Sequence, residues 1–202
     1  MRLFVALDID EPIRKRLATF VEGVHGFASD ARWVKAESLH VTLKFIGEWP
    51  NDSVNVVEQS LSNISGEPIE LRFHNYGFFP TEKAARVFWV GIAGGAPLAN
   101  LATQVDDALS GLGIPKETRA FSPHLTLARG AGGSGAPGWR KGDRPNSGFR
   151  RLQEKLAAMN DLEFGTMTAR EFFLYQSQLS PKGSRYTKIA RFQLGSSQTG
   201  QP

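Results

Sequence analysis

Apolar residues along the chain repeat with two different periods, and the alternation between them sketches a fold. "RLFVALDI" (2–9) is β-branched and apolar and predicts an opening strand. Asp10 can cap a helix and Pro12 suits a first turn, so a helix is predicted from Glu11 to about Val24. "RWVKAES" gives a short extended segment, and a strand is predicted from about His40 in "HVTLKFIG". "NDSVNVVEQSLSNI" begins with capping residues, and its Val54, Val57 and Leu61 take up helical spacing. "IELRFHNYGFFP" and "ARVFWVGI" predict two strands joined by a turn holding Pro80 and Thr81. "APLANLATQVDDALSGLG" predicts a third helix closed by glycines.

The order then starts again. A strand is predicted at "HLTLAR", a helix over "GFRRLQEKLAAMND", and strands at "TAREFFLYQSQL" and "YTKIARFQL". Strand–helix units therefore fall on both sides of a midpoint near residue 95. Antiparallel strands alternating with a few helices predict the α+β class. Residues 1–194 are expected to form one domain, and the polar stretch 195–202 a disordered tail.

Two of these strands carry polar residues on a face that a simple core strand would keep apolar. In "SLHVTLKFIG", His40, Thr42 and Lys44 share one face by strict alternation, while Val41, Leu43 and Phe45 share the other. "SPHLTLARG" repeats the arrangement with His124 and Thr126 opposite Leu125 and Leu127. A histidine and a threonine two places apart sit roughly 7 Å apart along a strand, so both can touch one tetrahedral anion. With four histidines and ten threonines in the chain, two such pairs arise by chance in about one or two of a hundred such chains. His25 in "VHGF" and His74 in "FHNY" lack the pattern and are read as helix-end or strand-edge residues.

If two equivalent strands face each other across a cleft, the paired imidazoles can work as acid and base, because imidazole titrates near neutrality. The two hydroxyls can donate to non-bridging phosphoryl oxygens. Lys44 falls on the His40 face and could reach a phosphate or ribose. Arg129 alternates to the face opposite His124 unless the strand ends or bulges there. Arg185 and Tyr186 come after a turn at "SPKGS" and could border the cleft.

Composition narrows the setting. The chain is 41% hydrophobic and 22% charged, as expected of a soluble globular protein. It has no cysteine, which excludes disulfides, a thiolate nucleophile and cysteine-ligated metals, and fits a reducing cytoplasm. No apolar run is long enough to span a bilayer, and "MRLFVALDID" reads as a strand rather than a signal peptide. The net charge of +4, from 24 basic and 20 acidic residues, is compatible with an anionic substrate or RNA without singling one out. The Gly- and Pro-rich segment 130–148, with Arg140, Lys141 and Arg144, reads as a long surface loop. A basic flap over a phosphate backbone is its alternative reading.

"HVTLKFIG" and "PHLTLARG" resemble the paired His-x-Thr motifs of the two-histidine phosphoesterase superfamily. "MRLFVALDID" and "QSQLSPKGSRYTKIARF" are similar to segments of its RNA 2′,3′-cyclic phosphodiesterase branch, also called 2′-5′ RNA ligases. The resemblance runs from Met1 to about Leu194, with the glycine-rich segment as a departure. It implies a bilobal fold, each lobe an antiparallel sheet with flanking helices and the active site between them. It implies hydrolysis of a terminal 2′,3′-cyclic phosphate on RNA, such as tRNA fragments, to a 2′-phosphate, together with reversible 2′-5′ RNA ligation. By the resemblance His40 matches the proton donor, His124 the proton acceptor, and Thr42 and Thr126 the phosphate-binding threonines. The residues alone leave open which histidine plays which role.

No metal or other cofactor is expected, since neither motif strand holds an Asp or Glu to help ligate one. A monomer is expected because two fused lobes complete a site. The rival readings are a cyclic phosphodiesterase for a small nucleotide such as ADP-ribose 1″,2″-cyclic phosphate, and a non-catalytic RNA-end binding module.

Overall fold

The computed structural model describes residues 1–130, 148–159, 161–180 and 183–195. The predicted tail from residue 196 onward and the basic residues Arg140, Lys141 and Arg144 lie outside them.

β1 (Arg2–Asp8) opens the chain and leads into α1 (Glu11–Val24). Asp10 caps that helix, its carboxylate accepting from the Ile13 N–H at 3.0 Å, and the first-turn proline is tolerated because its missing donor would have no intrahelical partner. Then come β2 (Arg32–Trp33), β3 (His40–Glu48), α2 (Val54–Ser62), β4 (Ile69–Phe79), β5 (Val87–Ala93) and α3 (Gly95–Ser110). The second half adds β6 (His124–Arg129), α4 (Arg150–Ala157), β7 (Glu163–Ala169), β8 (Glu171–Ser180) and β9 (Gly183–Gln193).

All strands pair antiparallel, in two sheets ordered β3-β1-β8-β9 and β2-β6-β5-β4-β7. The run predicted as one strand, "TAREFFLYQSQL", is divided at Arg170 between two strands in different sheets. Apolar alternation continues through the break, so periodicity could not mark it. The helix predicted over "GFRRLQEKLAAMND" is shorter, eight residues from Arg150.

The two sheets are the two lobes, but they are not the two halves of the chain. β1 is the second strand of the first sheet, between β3 and the late strand β8. Helices also cross over. α1 packs on the second sheet, where Phe20 meets Phe88 and Phe164 at 6.4 and 5.0 Å. α2 and α3 pack together against the first, the Ser60 hydroxyl donating to the Ala108 carbonyl at 2.9 Å. One continuous apolar core results, with Leu3, Val5 and Leu7 of β1 in the same cluster as Leu71, Phe73 and Phe88 of the second sheet. Burial on this scale contributes about 1.5–3 kcal/mol per large side chain and sets the two sheets relative to each other.

Each sheet therefore buries one face and leaves the other toward the cleft. On the first sheet the cleft face of β1 carries Phe4 and Ala6, which group with Phe173, Tyr175 and Tyr186. β3 and β6 lie next to each other where the sheets meet, and both begin at a histidine.

Candidate active site

The two histidines are held in the same way. Each lies at the first residue of its strand, two places after a serine whose backbone carbonyl faces the ring. His40 Nδ1 donates to the Ser38 carbonyl at 2.7 Å, and His124 Nδ1 to the Ser122 carbonyl at 2.7 Å. A carbonyl only accepts, so Nδ1 carries the proton in both neutral rings and Nε2 keeps its lone pair. The sequence held a signal for this anchor in the serine of "SLH" and "SPH", which motif reading passed over.

The strands also share a defect. Along β3, Thr42 pairs with Ala6 and Lys44 with Val5, leaving Leu43 as an extra residue. Along β6, Thr126 pairs with Trp89 and Ala128 with Phe88, leaving Leu127 extra. Each is a β-bulge just beyond the motif threonine, and each reverses the facing of the residues that follow, in β3 as far as Phe45, after which a second irregularity leaves Ile46 extra. Leu43 and Lys44 are consequently both buried, as are Leu127 and Ala128.

That reversal reassigns two residues. Lys44, expected on the His40 face, is turned away from the pocket and is only 3% exposed. Its ammonium reaches Asp106 at 2.7 Å, Glu117 at 3.2 Å and the Pro115 carbonyl at 2.7 Å, so all three of its donors have acceptors. Arg129 is swung the other way, onto the face of His124 and Thr126. One pocket is lined by Val34, Ser38, His40, Thr42, His124, Thr126, Arg129 and Tyr186, a space of about 320 Å³ continuous with solvent. Both motif pairs thus come together with Arg129 and Tyr186, while Lys44 and Arg185 are not among the lining residues.

Aromatic rings pack against both imidazoles. His40 lies 4.8 Å from Phe4 and 5.0 Å, edge-on, from Tyr186. His124 meets Phe79 edge-on at 4.9 Å and Trp89 at 6.3 Å. Burial lowers the pKa of His40 to about 4, opposed by the Ser38 carbonyl and by Asp8 and reinforced by Arg129 and His124. His124 is lowered too, first by burial and then by Arg129, against the Ser122 carbonyl. Both rings are therefore neutral in the free protein at pH 7. Asp8, the register partner of His40, is itself held by Arg14 at 2.8 Å and by Lys188.

His25 and His74 lie elsewhere, the first exposed with its ring nitrogen 3.1 Å from the Glu22 carbonyl, the second next to Asn75. Among the described residues no three His, Asp or Glu side chains group closely enough to hold a metal ion. No helix among them is long and apolar enough to cross a membrane.

Comparison with known proteins places this geometry. The chain matches the family described as "LigT like Phosphoesterase" twice, over residues 7–89 and 90–186, so that each match contains one His-x-Thr strand. The chain belongs to the LigT-like phosphoesterases. An Archaeoglobus fulgidus relative named RNA 2′,3′-cyclic phosphodiesterase is 32% identical over 193 residues, covering 96% of this chain and all of the relative. A Methanocaldococcus jannaschii relative of the same name is 31% identical over 94% of this chain and 98% of its own length. Among solved structures, the Thermus thermophilus protein TT0787 superposes with a TM-score of 0.74 at 27% identity, over 96% of this chain and 97% of that one. A LigT-like phosphoesterase therefore has its two family matches divided near the midpoint expected from the strand–helix repeat, although its sheets interleave across that midpoint.

Proposed function

We propose that the protein hydrolyses a terminal 2′,3′-cyclic phosphate on RNA to a 2′-phosphate, using its two histidines as acid and base without a metal. The observation that carries this reading is the matched pair of imidazoles, each fixed through Nδ1 and each presenting Nε2 to one pocket that also holds two threonines and an arginine. The names of the relatives supply the RNA substrate.

In the proposed reaction a water attacks phosphorus opposite the 3′-oxygen, and His124 Nε2 takes the water's proton. The P–O3′ bond breaks, and His40 Nε2, protonated beforehand, delivers a proton to the departing oxygen. The product carries a 2′-phosphate and a free 3′-hydroxyl, and the net change is addition of one water. Thr42 and Thr126 donate to the non-bridging oxygens, and Arg129 offsets the charge that builds on them. His40 must bind a proton for this role although burial opposes it. A bound phosphodiester anion supplies the field that favours the imidazolium, as Asp8 already does in the free protein. With a 5′-hydroxyl in place of the attacking water, the same steps join a cyclic-phosphate end to a second RNA through a 2′-5′ linkage. His124 takes the hydroxyl proton and the P–O3′ bond breaks as before; the reverse of that step cleaves the linkage. Because one chain supplies both motifs, the proposed catalyst is a monomer.

The test is a short RNA ending in a 2′,3′-cyclic phosphate, incubated with wild type and His124→Ala in excess EDTA, with 2′- and 3′-phosphate products resolved. Turnover to the 2′-phosphate that survives EDTA and is lost in the variant is expected. Loss in EDTA would overturn the metal-free mechanism. No turnover on RNA, with turnover of ADP-ribose 1″,2″-cyclic phosphate, would make a small nucleotide the substrate. Binding without turnover of either would make the protein an RNA-end binding module.

A further inference from the structure

Both motif histidines sit at the last pair of a strand ladder, but the residues across from them differ. The register partner of His124 is Gly91, and that of His40 is Asp8. Beyond the Asp8–His40 pair the β1–β3 ladder stops, and the chain just before His40 forms the short turn Ala36–Ser38. The carbonyl at the end of that turn, from Ser38, holds the His40 ring. The setting of His40 is therefore only as firm as the turn.

Arg14, on α1, closes this open end. One terminal nitrogen of its guanidinium donates to the Ala36 carbonyl, and the other donates to the Asp8 carboxylate at 2.8 Å and the Ile9 carbonyl at 3.0 Å. A planar fork can hold acceptors on two segments at once, and here it ties the turn before β3 to the end of β1. Asp8 is held from both sides. The oxygen that meets Arg14 also accepts from the Ile9 N–H at 2.9 Å, and the other accepts from Lys188. The arginine itself is carried by an element of the other lobe. Ile13 and Leu17, on α1 beside it, are buried, Phe20 packs on Phe88 and Phe164, and Arg16 donates to the Phe164 carbonyl at 3.0 Å. A helix seated on the second sheet thus holds the turn that orients the histidine of the first.

We propose that Arg14 is a positioning residue for His40, clamping the Ala36–Ser38 turn to Asp8 so that the imidazole presents Nε2 to the phosphate in one fixed setting. The inference rests on the activity proposed above and adds to it a residue outside the pocket. Arg14 does not line the pocket and touches no reacting atom; it acts through the Ser38 carbonyl. Such a clamp matters because a misplacement of about 1 Å at a reacting group can cost about a hundredfold in rate.

The test measures single-turnover rates on an RNA ending in a 2′,3′-cyclic phosphate for Arg14→Met, in the wild-type and His40→Gln backgrounds. In the wild-type background kcat should fall on the order of tenfold to a hundredfold with KM little changed. In His40→Gln the same substitution should cost far less, because the ring it positions is gone. Equal losses in both backgrounds would reduce Arg14 to a structural residue and overturn the proposal. Arg14→Lys guards against a variant that fails to fold, since it keeps a cation against Asp8 but loses the fork. It should keep the wild-type Tm and still lose rate; full recovery of the rate would overturn the clamp. Long-range proton–nitrogen NMR of the imidazoles reads the same clamp without substrate. His40 should shift from the Nδ1–H form toward a mixture of tautomers in both variants, with His124 unchanged. If the wild type turns over no RNA, the activity fails on its own, and the His40 spectrum decides for Arg14: a shift sustains the clamp and an unchanged spectrum overturns it.

Discussion

The two His-x-Thr strands are alike up to their bulge and differ beyond it. Before it, both lobes present histidine and threonine with the same serine carbonyl behind the ring. After it, β3 presents Phe45, 50% exposed and 5.9 Å from Phe4, where β6 presents Arg129. The inward residues differ as well: Lys44 on one strand, Ala128 on the other. In the proposed mechanism the part common to both lobes supplies proton transfer and phosphate contact, which need symmetry about one phosphorus. The parts that diverge supply a cation on one side and an aromatic ring on the other, and a nucleotide is just as unsymmetrical.

The comparison breaks most plainly if the histidines are unequal. His40→Gln and His124→Gln should each lower kcat by about 10²–10⁴, and the double variant by little more, since acid and base act as a unit. Single-turnover rates on a cyclic-phosphate RNA check this, and a loss confined to one variant would make the lobes chemically unequal. Thr42→Val, Thr126→Val and Arg129→Gln should come next, each losing on the order of tenfold to a thousandfold.

Lys44→Met should show the opposite profile. It removes the partner of Asp106 while touching nothing in the pocket, so it should cost about 1–3 kcal/mol of stability. A fall of several degrees in Tm with kcat per folded molecule retained would place Lys44 in the scaffold.

A further expected effect is on pH dependence. His40 titrates near 4 in the folded protein against an ordinary 6.5, so between those values the unfolded chain holds the extra proton. The stability at stake is complete above about pH 6.5 and is lost as pH falls toward 4. Tm should therefore decline over that window, and less steeply in His40→Gln.

Much of this molecule is legible in its sequence, and the exceptions share a cause. The Asp10-capped helix and the two motif strands are properties of consecutive residues, and their spacing shows them directly. The facing of Lys44 and Arg129 is a property of pairing, because a bulge exists only when two residues of one strand oppose one of the next. Nothing in "HVTLKF" or "HLTLAR" alone counts its partner's residues. The break at Arg170 is hidden for the same reason, since the strands before and after it differ only in which sheet they join.

Placing β1 between β3 and β8 has a consequence for biosynthesis. The pairing of β1 with β8 joins Arg2 to Ser177, so the first strand made waits for nearly the last before its second edge is covered. A nascent chain that has already released both motif strands still lacks β8 and β9, along with the Tyr175 and Tyr186 rings that pack around His40. Such long-range closure slows folding and ties the competence of β1 to the synthesis of β8 and β9. A ribosome that stalls before Glu171 would leave a chain that carries both histidines in its sequence and has no finished sheet to hold the first of them.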